Sequence, residues 1–180
     1  LVLGLRLPLD LRDEAAIQEG LRHLIRPFFA FTLSFALGGA FWGVHMRTTR
    51  RLKEFDWPTL FVNMVHLFTV TLLPFAAALL GERLDSPTAF IGYSSIIAAV
   101  SFTGVLLFIV ATRDGGRLLH HGMSWRVRIA GVLRTSAIGF AALTGVGIML
   151  YGNPHFAKYA WGAVIPFVLL ARVFQQNDEL

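Results

Sequence analysis

The chain has no cysteine and little charge: Asp, Glu, Lys and Arg make up 15% of its 180 residues, against 55% hydrophobic residues. A soluble domain carries about 25% charged residues. The absence of cysteine excludes disulfides and thiolate metal sites. Pattern by pattern, the enzyme signatures are missing too. There is no HExxH, so the zinc-protease arrangement is excluded, and no GxSxG surrounds Ser94, Ser95, Ser101 or Ser136. The predicted spans hold no Asp or Glu at mid-length. That argues against a carboxylate proton relay, a di-iron centre or a membrane metalloprotease. His120 and His121 are adjacent and cannot chelate from one helix face as an i, i+4 pair does. No nucleic-acid signature is present, because the arginines lie between apolar runs and not on one soluble face. No cofactor is predicted, and the chain does not read as an enzyme.

What is present is a series of long apolar runs, the pattern of an all-α, polytopic helical membrane protein. Complete spans are predicted at about 27–48, 59–80, 88–112, 127–150 and 155–174. Residues 1–5 are apolar, too short to cross, and end at Arg6-Leu7-Pro8. They read as the end of a first helix whose start precedes Leu1, which makes a six-helix unit with its first helix mostly missing. Residues 8–26 alternate charged and apolar residues and predict either a short interfacial helix or a solvated connector. Asp56 and Pro58 suit the cap and first turn of one span, and Pro74 predicts a kink within it.

Charge orients the spans. Arg47, Arg50, Arg51 and Lys53 fall on one side, with Arg113, Arg117, Arg126, Arg128 and Arg172; the opposite short loops hold Arg83 and Lys158. The excess predicts the cytoplasmic side and both termini inside. Residues 6–26 then lie outside, where four arginines are accompanied by four acids. Arg134, inside a span, reads as snorkelling to the interface or as a partner for an acid on the missing helix.

The first complete span organises the reading. Ser34, Gly38, Trp42 and His45 fall within one quadrant at 100° per residue, against a surface of Phe, Leu, Ala and Val. Such a stripe packs inward, as helix-packing contacts or as part of a conduction apparatus. Asn63, His66, Val70 and Pro74 share a face of the next span. A hydrophobic constriction that gates by dewetting looks, in sequence, like any apolar helix.

The order of these residues resembles a known family. Leu1 to Pro8 is similar to the "TLLVLxLxVP" end of a first helix. Ser34-Phe35 followed by Phe41-Trp42-Gly43-Val44-His45 is similar to "LSFxxxxxxWxxHH". Asn63 with Leu72-Leu73-Pro74-Phe75 is similar to "LNLLxLxxxxLLPF", and Tyr93 falls where an aromatic opens the fourth helix. Over about residues 1–112 the chain resembles the transmembrane protein 175 family, potassium channels of bacteria and of animal endosomes and lysosomes. The resemblance implies a six-helix unit, a homotetramer in the cell membrane, potassium ions as the permeant species, and a pore lined by first helices. Its F-S-x-x-x-D signature would lie upstream of Leu1. Leu3 then matches the outermost pore-lining aliphatic. Trp42 and His45 match the residues that hold the signature, with Ser34 and Asn63 in the same bracing set. Met46 stands where a second histidine is common, and Gly4 where a polar residue is usual. No TVGYG filter is present. The competing readings are a small proton- or cation-coupled carrier and a non-conducting membrane scaffold.

Overall fold

The computed structural model describes residues 14–82 and 86–163. Leu3, the predicted helix end at 1–5 and the predicted span beyond 163 lie outside the described residues. Five α-helices follow in order: α1 (Glu14–Thr49), α2 (Trp57–Thr71), α3 (Leu73–Glu82), α4 (Pro87–Ala111) and α5 (Trp125–Tyr151). Among the described residues there is no strand, and the chain is an all-α helical membrane protein. Three helical stretches have the length and composition to cross a bilayer: Trp57–Gly81, Pro87–Ala111 and Trp125–Tyr151.

The separation predicted between residues 8–26 and the first complete span is not observed. From Glu14 onward α1 is continuous for 36 residues, through Pro27. A proline inside a helix withdraws one N–H from the ladder and crowds the preceding turn. No glycine adjoins it, and the apolar residues that follow have no water to satisfy their backbone outside a helix. At about 1.5 Å per residue, α1 is about 54 Å long, well beyond a hydrocarbon core of about 30 Å.

Proline and aspartate act as expected in the next span. The Asp56 carboxylate accepts from the Thr59 N–H at 3.1 Å, and Pro58 occupies the first turn of α2. The helix then breaks at Leu72, whose N–H turns to the Thr69 carbonyl, at 3.1 Å, and the Val70 carbonyl in place of the one four residues back. Pro74, with no N–H to give, stands in the first turn of α3.

The core lies where α1, α3, α4 and α5 meet, around Phe41, Leu73, Ala76, Tyr93, Ile97 and Ala142. Hydroxyls and small residues close the seam between α4 and α5. Ser101 is fully buried; its hydroxyl donates to the Thr135 carbonyl at 2.7 Å and accepts from the Gly139 N–H at 3.0 Å. At Gly131 the Phe108 ring fills the space a side chain would need.

After Tyr151 the chain follows a 3₁₀ helix over Pro154–Ala163, where the sequence predicts the start of an α-helical span. Three residues per turn put Ala157 and Ala160 on one face. Both are buried, and the Ala157 carbonyl comes within 3.4 Å of where a Gly145 side chain would begin. The tighter helix thus brings a row of alanines against α5.

At the arginine-rich end two loops join. Leu52 and Leu119 form an isolated antiparallel bridge, with Lys53 N–H donating to the Leu118 carbonyl and His120 N–H to the Arg51 carbonyl, both at 2.9 Å. A left-handed turn at Asp114-Gly115-Gly116 reverses the chain after α4, so that Arg113 and Arg117 both reach Asp56.

Candidate functional site

Of the residues singled out on α1 and α2, the structure brings three together. Trp42 and His45, one turn apart, stack with ring centroids 5.4 Å apart. His45 Nε2 lies 2.7 Å from Asn63 Oδ1 on α2. With Oδ1 as acceptor, Nε2 is the donor nitrogen, and that bond fixes the plane of the ring. Trp42 is held on one side by His45 yet remains 56% exposed. Asn63 is half-buried and ties α2 to α1 at this level.

Ser34 does not join them. Eleven residues earlier, it is about three turns away along α1. It is buried beside Tyr93 of α4, and neither hydroxyl completes a hydrogen bond among the described residues. It lies at the far end of the same stripe, against the core.

A second layer lies behind His45. His66, one turn after Asn63, stacks on His45 at 5.6 Å and is buried to 2% exposure. Its Nδ1 is 3.1 Å from the Thr103 hydroxyl of α4, which is itself 2.9 Å from the Thr69 hydroxyl. The Thr103 hydroxyl also lies 2.8 Å from the Ala99 carbonyl, one turn back on its own helix. Gly104 eases the approach, since a side-chain carbon there would sit 3.2 Å from His66 Cε1. Asn63 and His66 share a face of α2 in the sequence, which signals His66; nothing in the sequence marks Thr103 as its partner.

Together these contacts form a continuous polar path through three helices: Trp42, His45 and Asn63, then His66, Thr103 and Thr69. It contains no carboxylate, lysine or arginine. In an apolar surrounding each such bond is costly to break, because the abandoned donor or acceptor has no water to turn to. The arrangement is suited to holding α1, α2 and α4 in one register.

On the outer side of the stripe lies a groove of about 440 Å³ with apolar walls. Phe31, Ser34, Phe35, Gly38, Trp42 and Leu73 line it. The floor is made by the small residues of α1, and the kink after Leu72 forms one wall. Trp42 therefore has two faces, one against His45 and one open to this groove.

Comparison with known proteins bears on the same region. Residues 1–74 match the family model described as endosomal/lysosomal potassium channel TMEM175. A curated bacterial protein named as a potassium channel, from Chryseobacterium sp. (strain P1-3), is 27% identical over 105 residues. That alignment takes in 57% of this chain and 52% of the relative, so the chain spans about half the length of the curated protein it matches. No solved structure matches. Ser34, Trp42, His45, Asn63 and His66 all fall inside the matched segment; Thr103 falls outside it. Both findings support the family that the motifs of residues 1–112 resemble.

Proposed function

We propose, from the match of residues 1–74 to the TMEM175 potassium channels, that this chain is a subunit of a channel of that kind and passes potassium down its gradient. The working assembly is a homotetramer in the cell membrane, with both termini on the cytoplasmic side. Its pore is narrowed by aliphatic side chains of the first helix, Leu3 being the outermost. The groove beside Trp42 supports a bracing role for α1. It is apolar, floored by glycines and continuous with a fixed hydrogen-bonded layer, the conditions under which two helices pack closely in lipid. Trp42 and His45, with Asn63 behind them, then hold the pore helix, and Ser34 anchors the stripe to the core.

Planar-bilayer recording of the full-length protein under a potassium gradient tests the reading. Unitary currents reversing near the potassium equilibrium potential are the expected result. Slow, saturating, coupled flux identifies a carrier instead, and no flux from the full-length protein identifies a scaffold. Trp42→Ala and His45→Ala are expected to lower open probability or tetramer yield while leaving the potassium-over-sodium ratio unchanged. Normal opening with altered ion preference would refute the bracing role.

A further inference from the structure

We infer that the arginine-rich end of the chain carries a binding site for the phosphate headgroup of an anionic phospholipid, set between the end of α1 and the start of α5. Two adjoining cavities form it. The larger, about 470 Å³, is lined by Arg50, Arg51, His120, His121 and Ser124 over an apolar wall that includes Met123 and Val127. The smaller, about 60 Å³, runs toward the membrane-spanning part and is lined by Arg47, Arg51 and Arg134 with Val44, Phe108 and Val127. Arg51 and Val127 belong to both. No Asp or Glu lines either one.

Of the acids at this end, Asp56 and Asp114 pair with arginines outside the cavities, and Glu54 lines neither cavity. Asp56 takes Arg113 and Arg117, and Asp114 lies 3.5 Å from Arg113. Asp56 thus draws Arg113 and Arg117 to one side, while Arg50 and Arg51 line the cavity on the other. The Leu52–Leu119 bridge holds Arg51 and His120 together through their backbones, so the cavity is shaped before any ligand arrives. The first turn of α5, capped by Ser124, adds its N–H groups and the positive end of a 27-residue helix to the same wall.

The surroundings favour a lipid over a free anion. The larger cavity sets its basic residues over Met123 and Val127, an apolar wall that an inorganic ion leaves unused and an acyl-glycerol stem covers. Trp125 opens α5 as an exposed aromatic, the residue type that settles at headgroup depth. Basic cavities between helices at the cytoplasmic face are where acidic headgroups bind.

The test is binding to the full-length protein in detergent, read as a shift in melting temperature, with three probes: dioctanoyl phosphatidylglycerol, dioctanoyl phosphatidylcholine and inorganic phosphate. Phosphatidylglycerol alone is expected to stabilise. Arg51→Gln is expected to weaken that binding about tenfold, as loss of one charge-assisted contact does. Arg50→Gln, at an exposed position on the same cavity, serves if Arg51→Gln fails to fold. Arg117→Gln, at the same end but outside both cavities, is expected to change the affinity less than about twofold. An equal response to phosphatidylcholine, an equal response to inorganic phosphate, or an equal loss in Arg117→Gln overturns the assignment. The readout is independent of conduction.

Discussion

The α4–α5 seam and the Trp42 face of α1 are built from the same materials, glycine and serine among large apolar residues, and end in opposite conditions. At the seam, Phe108 fills the space over Gly131, and the Ser101 hydroxyl bonds into the α5 backbone at two points. On α1 the glycines meet little. A carbon added at Gly38 would lie 3.9 Å from Leu73, and one added at Gly39 would meet nothing within 4 Å. Small residues therefore mark where close packing is possible. Whether it is completed within one chain depends on the complement that chain supplies. The seam has its complement; the α1 face presents a groove.

Two substitutions separate these conditions, and a third tests a contact outside both. The largest effect is expected at the seam. Gly131→Leu drives a side chain into the Phe108 ring, and overpacking of this kind costs about 1–3 kcal/mol or more when backbone must move. Loss of a monodisperse gel-filtration peak and a sharply lowered melting temperature are the signs; a normal melt would show that the seam yields. Next is Gly39→Leu, which adds bulk where the single chain has open space. Helix content measured by circular dichroism should stay at the wild-type value while the yield of the proposed tetramer falls. If assembly survives, the groove is not an interface.

The smallest effect is expected at Asp56, outside both regions. Hydrogen bonding from Thr59, opposed by burial and aided by Arg113 and Arg117, holds its carboxyl below the ordinary carboxylate value. A depressed value in the folded state means stabilisation that is complete above the unfolded-state value and is lost as pH falls through the lower, folded-state one. Asp56→Asn keeps the cap and removes the charge. The melting-temperature gap between wild type and Asp56→Asn should be small and constant near neutrality and close in strong acid. A gap that widens in acid would contradict the pairing.

Much of this architecture was legible in the residues. Apolar runs located the long helices, Asp56 and Pro58 marked the start of α2, and Pro74 marked its break, because caps and prolines act locally. The histidine layer was half legible: Asn63 and His66 share a face by helical spacing, but Thr103 reaches His66 only through the α2–α4 packing. The continuity of α1 through Pro27 was hidden, since a change from charged to apolar composition looks like a boundary whether or not the backbone bends. The 3₁₀ run after Pro154 depends on Ala157 and Ala160 lying against α5, a contact that spacing along the chain does not carry. The charge count gathered the basic loops at one end, but which arginines Asp56 would neutralise depended on a turn built from Asp114, Gly115 and Gly116.

The two backbone bonds that flank the Leu52–Leu119 bridge, Lys53 to Leu118 and His120 to Arg51, limit how the molecule can move. They lash the chain just past α1 to the loop between α4 and α5, so a piston stroke of α1 along its own axis by one residue would rupture both. Tilting or twisting about that lashing point leaves them whole. A movement of α1 that keeps both bonds is therefore a pivot, with its fulcrum among the arginines and its widest sweep at the far end of the helix.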